Sequence, residues 1–141
     1  MTIAAIQEEI IDEFSLFDDW LDKYEHIIEI GKELEPMDAG FQTEDNLVKG
    51  CQSQVWLHAA MEGEQLVFQA NSDAIITKGL VALMVRVLSG HRPEEIAQAD
   101  MAFIEAIGLH EHLSPTRSNG LASMVKKMKM FGLAYQAKQM K

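Results

Sequence analysis

Cysteine is almost absent from this chain: Cys51 is the only one in 141 residues. A single thiol excludes an internal disulfide, and it cannot complete a zinc or iron–sulfur site by itself. It can still act as a nucleophile or carry a sulfur atom. Because nine methionines accompany this one cysteine, the composition fits a reducing cytoplasm, and we expect a cytoplasmic protein.

Long hydrophobic runs are absent as well. No apolar stretch approaches the ~20 residues that a membrane-spanning helix needs. Residues 1–5 do not combine a basic segment with an apolar one, so we expect no secretory signal and no membrane partner. A hydrophobic content of 48% over 141 residues is that of a globular chain, and it predicts one domain over residues 1–141.

Acidic residues are missing from the last part of the sequence. Residues 115–141 carry six bases and no acid, whereas residues 1–45 carry 14 acids and two bases. With a net charge of −10 and its bases concentrated at one end, the chain is a poor nucleic-acid binder, and we expect no nucleic-acid partner. The basic segment is typical of a solvated helix face near the acidic N-terminal segment; a docking patch for a protein partner is the alternative.

Common catalytic and metal-binding motifs are absent too. The sequence has no Gly-x-Ser-x-Gly turn of the kind that carries a nucleophilic serine, and no carboxylate pair in a recognisable catalytic context. His110 and His112 are two residues apart, which places them on different sides of a helix. No further ligand follows at a useful spacing, so we expect no metal site.

The N-terminal third predicts two helices. Apolar residues recur every three or four positions over residues 3–17, the pattern of an amphipathic helix. Ser15 is a candidate cap for a second helix over residues 20–28, and Gly31 is its candidate C-terminal stop. Residues 33–46 contain proline and glycine without a steady period, so we expect a loop there.

The segment after Cys51 predicts a β-hairpin. Residues 54–60 and 65–70 are short strand candidates, and the Glu-Gly-Glu sequence between them is typical of a turn. Side chains alternate between the two faces of the first strand, and one face receives Val55, Leu57 and Ala59.

The remaining sequence predicts a buried central helix and a last amphipathic helix. Ser72 or Asp73 is the candidate cap of a helix that runs to about Leu88 and is apolar nearly all round. Residues 114–119 then lead into the last helix as a loop. Helices around one short hairpin predict an α+β fold, in which a small antiparallel β-sheet is covered by helices.

The surroundings of Cys51 favour a loop over a core strand. Residues 48–56 have the sequence VKGCQSQVW, so small and polar residues flank the thiol on both sides. Gly50 permits unusual backbone angles and has no side chain, which would let a partner's backbone approach the sulfur closely. The alternative is that Cys51 is a small buried hydrophobe, as many lone intracellular cysteines are.

Three segments together resemble the SufE family of sulfur acceptors. In order, they are GCQSQVW at 50–56, SDA at 72–74 with KG at 78–79, and LSPTRSNGL at 113–121. With the helical N-terminus, the likeness covers nearly the whole chain. Two departures from the family pattern are Thr116, where serine is frequent, and Asn71, where aspartate often precedes the second segment.

The resemblance implies a fold shared with scaffold proteins of the IscU type. It also implies a protein that is not itself an enzyme but takes persulfide sulfur from a PLP-dependent cysteine desulfurase of the SufS type and stimulates it. The sulfur would then pass to the SUF scaffold complex (SufBCD type) for iron–sulfur cluster assembly. No cofactor of its own is implied. With only one thiol, the chain should relay sulfur rather than assemble clusters.

The site implied by the resemblance centres on Cys51 as the persulfide acceptor. Its motifs supply the supporting residues Gly50, Gln52, Asp73 and Arg117. The attacking group is a thiolate, and a free cysteine with a pKa of ~8.5 holds little of it at neutral pH. Positive charge from Lys49 or Arg117 would increase the thiolate fraction; the alternative for Arg117 is a structural ion pair with Asp73.

Two other classes of function remain open. A cysteine hydrolase or transferase needs a base and an orienting residue beside Cys51. A pure interaction module would carry a buried and idle thiol. For a sulfur carrier, the persulfide must be hidden from reductants and yet reach a partner. We therefore expect Cys51 to be partly buried in the protein alone and exposed when the desulfurase binds.

Overall fold

A computed structural model describes residues 1–51 and 53–139. Over these residues, seven α-helices surround one two-stranded sheet. The helices are α1 (Ile3–Phe14), α2 (Trp20–Lys32), α3 (Ile75–Leu88), α4 (Pro93–Ala97), α5 (Ala102–Ala106), α6 (Leu109–His112) and α7 (Pro115–Gln139), and the strands are β1 (Val55–Glu62) and β2 (Gln65–Ser72). The predicted α+β architecture, a small antiparallel sheet covered by helices, is confirmed.

The first helix is shorter than its periodicity predicts, the second is longer, and the second has a different cap. α1 ends at Phe14, and a turn in which the Phe17 amide donates to the Phe14 carbonyl (3.2 Å) follows it. The predicted cap Ser15 is wrong. Asp19 caps α2 instead, because its carboxylate accepts a hydrogen bond from the Asp22 amide at 2.9 Å.

Gly31 does not end α2, which continues to Lys32. A Cβ atom on Gly31 would lie 2.8 Å from the backbone nitrogen of Gly79 in α3, closer than real Cβ atoms approach. The same holds in reverse, since a Cβ on Gly79 would lie 2.8 Å from the carbonyl carbon of Ile27 in α2. The two glycines therefore let the backbones of α2 and α3 touch, and the predicted helix stop is wrong.

The hairpin is confirmed, with strands slightly longer than predicted. β1 and β2 pair antiparallel from Val55 opposite Ser72 to Glu62 opposite Gln65. Gly63 makes the turn with a φ of 62°, a left-handed conformation that glycine adopts without strain. The predicted alternation is confirmed, and the face that carries Val55, Leu57 and Ala59 is the buried one.

α3 is the central helix of the core. Nine of its fourteen residues are buried, as its nearly continuous apolar sequence predicts. Its one arginine, Arg86, reaches out to α1 and pairs with Glu9 and Glu13 at 3.2 Å each. Burial pushes the pKa of Glu13 up, but hydrogen bonds from His26 and Arg86 outweigh it and hold that pKa below its ordinary value.

α7 begins earlier than predicted. It starts at Pro115, and the hydroxyl of Ser114 accepts a hydrogen bond from the Arg117 amide at 3.3 Å. Arg117 therefore lies in the first turn of a helix and not in a loop. α7 packs on α4 and α3, and its Lys126 and Lys127 line one groove with Glu44 and Asp45, the last acids of the acidic N-terminal segment. Across the described residues, no helix is both long and apolar enough to cross a membrane.

Candidate functional site

Cys51 lies in a tight loop that leads into the hairpin. The loop follows Val48 and precedes Val55, and these two residues are joined because the Val48 amide donates to the Val55 carbonyl at 2.8 Å. Gly50 has a φ of 93°, and a Cβ on it would lie 2.6 Å from the hydroxyl oxygen of Ser123 in α7. The backbone conformation therefore favours glycine at this position, and a side chain added there would displace the Ser123 hydroxyl.

The thiol of Cys51 is half-buried against α7. Its sulfur lies 3.5 Å from the Gly120 carbonyl oxygen, within reach of a weak S–H hydrogen bond. A Cβ on Gly120 would lie 3.5 Å from the same sulfur, which is ordinary van der Waals contact. The second turn of α7 thus forms one wall around the sulfur. The partial burial that we expect for the protein alone is confirmed.

A small pocket of about 70 Å³ opens beside the sulfur. Three parts of the chain build it: the Cys51 loop with the start of β1, the first two turns of α3, and the first three turns of α7. Its apolar lining consists of Val55, Leu80, Val81, Leu121 and Met124. Its polar lining, apart from the thiol, consists of Ser53, Thr77, Thr116 and Arg117. The pocket has room for a few atoms next to the thiol. One part of its wall carries polar groups.

Asp73 holds the far end of the Cys51 loop in place. Its carboxylate accepts a hydrogen bond from the Gln54 amide at 3.0 Å, and its own amide donates to the Gln54 carbonyl at 3.2 Å. Asp73 is therefore not the predicted cap of α3, which begins after Ala74 without a side-chain cap. Its partner is the loop, and among the described residues it forms no ion pair with Arg117.

The environment of Cys51 favours the protonated thiol. Burial raises its pKa above the ordinary value, because the thiolate would lose hydration. The contact with the Gly120 carbonyl acts in the same direction, since only the protonated thiol can donate to it. The expectation that Lys49 or Arg117 lowers this pKa is wrong for the chain by itself. A change of environment that exposes the thiol would therefore increase the thiolate fraction available to attack a persulfide.

The predicted site residues lie in and around one pocket. Gly50 adjoins Cys51, Arg117 lines the pocket, and Asp73 is bonded to the end of the loop. Gln52 lies outside the described residues. Sequence reasoning missed Thr77, although it precedes Leu80 and Val81 by three and four positions and so shares their helix face.

These features define a small α+β protein whose chemistry centres on one half-buried thiol in a loop. The family model SufE, described as the Fe-S metabolism associated domain, matches residues 8–131. The chain therefore belongs to the SufE family, as its motifs indicate, and this membership gives it the role of a sulfur acceptor in iron–sulfur metabolism.

Similar proteins come from bacteria and a plant. An uncharacterized SufE-like protein of Rhizobium meliloti (strain 1021) is 45% identical over 127 residues, which cover 86% of this chain and 91% of the relative. An uncharacterized SufE-like protein of Synechocystis is 39% identical over 98% of this chain and 87% of the relative. The chloroplastic/mitochondrial SufE-like protein 1 of Arabidopsis thaliana is 41% identical over 93% of this chain but only 36% of its own length.

A solved structure has the same fold. The solution structure of a hypothetical protein from Thermus thermophilus superposes with a TM-score of 0.77 and covers 94% of this chain and 96% of that one. The two sequences are 21% identical, so the likeness concerns the fold alone.

Proposed function

We propose that Cys51 accepts persulfide sulfur from a PLP-dependent cysteine desulfurase of the SufS type. In this proposal the protein stimulates that desulfurase and passes the sulfur to a SUF scaffold complex of the SufBCD type. It is a sulfur-transfer partner in the cytoplasm and has no catalytic turnover of its own. The observation that carries the proposal is that the only thiol of a SufE-family chain lies half-buried beside a small pocket.

The transfer is a thiol exchange in which atoms balance. The Cys51 thiolate attacks the outer sulfur of the desulfurase persulfide, a new S–S bond forms, and the S–S bond within the donor breaks. The donor cysteine leaves as a thiolate and takes up the proton that Cys51 has lost. This proton must leave before attack because the thiolate is the nucleophile, and burial, which raises the pKa of Cys51, makes its loss less favourable. Docking of the desulfurase is the step at which we place that change.

The pocket can accommodate the outer sulfur of a Cys51 persulfide. A persulfide adds one sulfur atom beyond the Cys51 sulfur, and a pocket of about 70 Å³ adjoins that position. Apolar walls such as Leu80 and Met124 keep bulk reductants away from the outer sulfur. Thr77 and Thr116 supply hydroxyl groups, which can donate hydrogen bonds to an anionic sulfur.

Intact mass spectrometry tests the proposal. Incubation with a SufS-type desulfurase and cysteine should add one sulfur atom, roughly 32 Da, that a reductant removes. The variant Cys51→Ser keeps the size of the side chain and should take up none. Sulfur bound as persulfide by this variant, or no uptake by the native chain, would count decisively against Cys51 as the acceptor.

The supporting residues have separate proposed roles. Gly50 allows the loop conformation, Asp73 fixes the end of the loop, and Arg117 supplies positive charge at the pocket to an approaching persulfide. Arg117→Ala should therefore lower stimulation of the desulfurase more than Lys138→Ala, which removes a charge near the end of α7. Equal stimulation by the two folded variants would remove Arg117 from the site.

A cysteine hydrolase or transferase is not favoured by the geometry. That chemistry needs a base within hydrogen-bond reach of the nucleophile. In the described part of the chain, no histidine lines the pocket beside Cys51. His58, the nearest histidine in sequence, stacks on Phe41 with ring centroids 3.6 Å apart.

A further inference from the structure

A groove adjoins the Cys51 loop on the side of α7, and we call it the α7 groove. One wall is helical and consists of Ser123, Lys126, Lys127 and Met130. The facing wall belongs to the segment before Cys51 and consists of Glu44, Asp45, Leu47, Val48 and Lys49. The groove is much larger than the pocket beside the thiol, with a volume of about 700 Å³ against about 70 Å³.

The described lysines of the α7 groove form no ion pair. Among the described residues, none of the ion pairs includes Lys49, Lys126 or Lys127. The ammonium group of Lys127 lies 5.3 Å from the ring centre of Phe131, a contact that leaves its charge in place. Glu44 and the neighbouring aspartate line the facing wall beside Lys49 but lie beyond ion-pair distance from the lysines, so the lining of the groove carries three cations and two carboxylates.

α7 exposes one large apolar side chain in the groove wall, Met130, and another beyond the groove, Leu133. Met130 is 52% exposed, and Leu133 is 57% exposed. Together with Lys126 they follow the spacing i, i+4, i+7, so they form one stripe along α7. Two exposed apolar side chains beside lysines give this face of α7 both apolar and positively charged contacts to offer to a partner.

The α7 groove is continuous with the reactive loop. Ser123 lines the groove, and its hydroxyl oxygen lies 2.6 Å from the position that a Cβ atom on Gly50 would take. Gly50 immediately precedes Cys51, and Lys49 forms part of the groove wall. A chain segment seated in the groove would therefore contact the backbone that carries the acceptor thiol.

We propose that the α7 groove docks a segment of the cysteine desulfurase that combines acidic side chains with an apolar one. The proposal rests on the proposed function, which requires a donor at Cys51. Acidic side chains of that segment pair with Lys126 and Lys127, and its apolar side chain covers Met130. The charge excess in the groove favours an acidic occupant, and the two carboxylates of the facing wall work against it.

Persulfide loading at increasing desulfurase concentration tests this docking site. The double variant Lys126→Glu and Lys127→Glu should raise the desulfurase concentration at half-maximal loading about tenfold. Added salt should change this concentration less for the double variant than for the native chain. Loading at saturating desulfurase should be unchanged, since Cys51 and its pocket are intact. Lys138→Glu is the matched control, because it changes charge on the same helix about 17 Å further along. It should leave the half-maximal concentration nearly unchanged.

A second variant changes the charge in the opposite sense. Glu44→Gln with Asp45→Asn removes the carboxylates of the facing wall and should lower the half-maximal concentration. An unchanged value in the lysine double variant, or an equal rise in Lys138→Glu, would overturn the docking site. A lower value in the lysine double variant would mean a basic occupant and would overturn it as well. If the native chain takes up no sulfur at all, the proposed function fails first.

Discussion

Two helical glycines show how the core differs from the site. In α3, a Cβ on Gly79 would lie within 3 Å of the Ile27 backbone, which cannot move without shifting the whole of α2. In α7, a Cβ on Gly120 would meet only ordinary contacts, the nearest being the Cys51 sulfur at 3.5 Å. In the core, the backbones of α2 and α3 are in direct contact and leave no room for a Cβ atom. At the site, the space between α7 and the Cys51 side chain is large enough for one.

This difference separates stability from function in the molecule. The contact between α2 and α3 holds the central helix in the core, and no residue of α2 lines the pocket, although α3 forms one of the pocket walls. The Cys51 loop is held by a few hydrogen bonds, such as those between Asp73 and Gln54. Such a segment can open without unfolding the core. Three changes test this comparison.

Gly79→Ala should have the largest effect. An added methyl group in a closed contact typically costs about 1–3 kcal/mol, and here the neighbour is backbone, so we expect a loss of about 2–3 kcal/mol. That loss exceeds the gain of up to about 1 kcal/mol that alanine brings to a helix. Urea unfolding should show a lower midpoint with an unchanged slope. An unchanged midpoint would show that α2 can move away from the added methyl group. The core would then be no more tightly packed than the site.

Gly120→Ala is the matched change at the site and should have a smaller effect of opposite sign. Alanine should stabilise α7 by about 0.5–1 kcal/mol, since its Cβ finds van der Waals contacts without overlap. The same methyl group touches the Cys51 sulfur, so alkylation of that thiol should become slower. A destabilised variant with faster alkylation would mean that the wall beside the thiol is as tightly closed as the core.

The pH dependence of Cys51 should be the smallest effect. Burial raises the pKa of this thiol in the folded chain, so the folded state keeps its proton at a pH where the unfolded state has lost it. The stability that the protonated Cys51 thiol contributes is fully present below the pKa of this thiol in the unfolded chain. It is lost as the pH rises through the higher pKa of the thiol in the folded chain. Cys51→Ser should remove that decline in alkaline solution. An alkylation profile that rises at or below the pH found for the unfolded chain would contradict the raised pKa.

Sequence reasoning succeeded where the signal is local. The alternation of β1 and the apolar run of α3 identified the buried residues because each depends on the spacing within one element. Gly31 was misjudged because its role depends on Gly79, 48 positions further along the chain, and no local pattern records a contact between two helices.

The predictions for the start of α7 and for the role of Asp73 were wrong for different reasons. Serine followed by proline is a helix-start signal, and Ser114 with Pro115 fits it, so this boundary was predictable. Asp73 stands where a helix cap is expected, but its carboxylate is drawn to the Gln54 amide of the Cys51 loop. Competition between a local and a distant hydrogen-bond partner is decided only once the chain is folded.

The central claim is that the Cys51 thiol is shielded in the protein alone and becomes available when the desulfurase docks. Its alkylation rate measures this directly in three states: the native chain, the chain unfolded in urea, and the chain with a desulfurase that binds but lacks its catalytic cysteine. We expect the native rate to be well below the unfolded rate and to rise on docking. A native rate equal to the unfolded rate would contradict the shielding, and an unchanged rate with the bound desulfurase would contradict the opening.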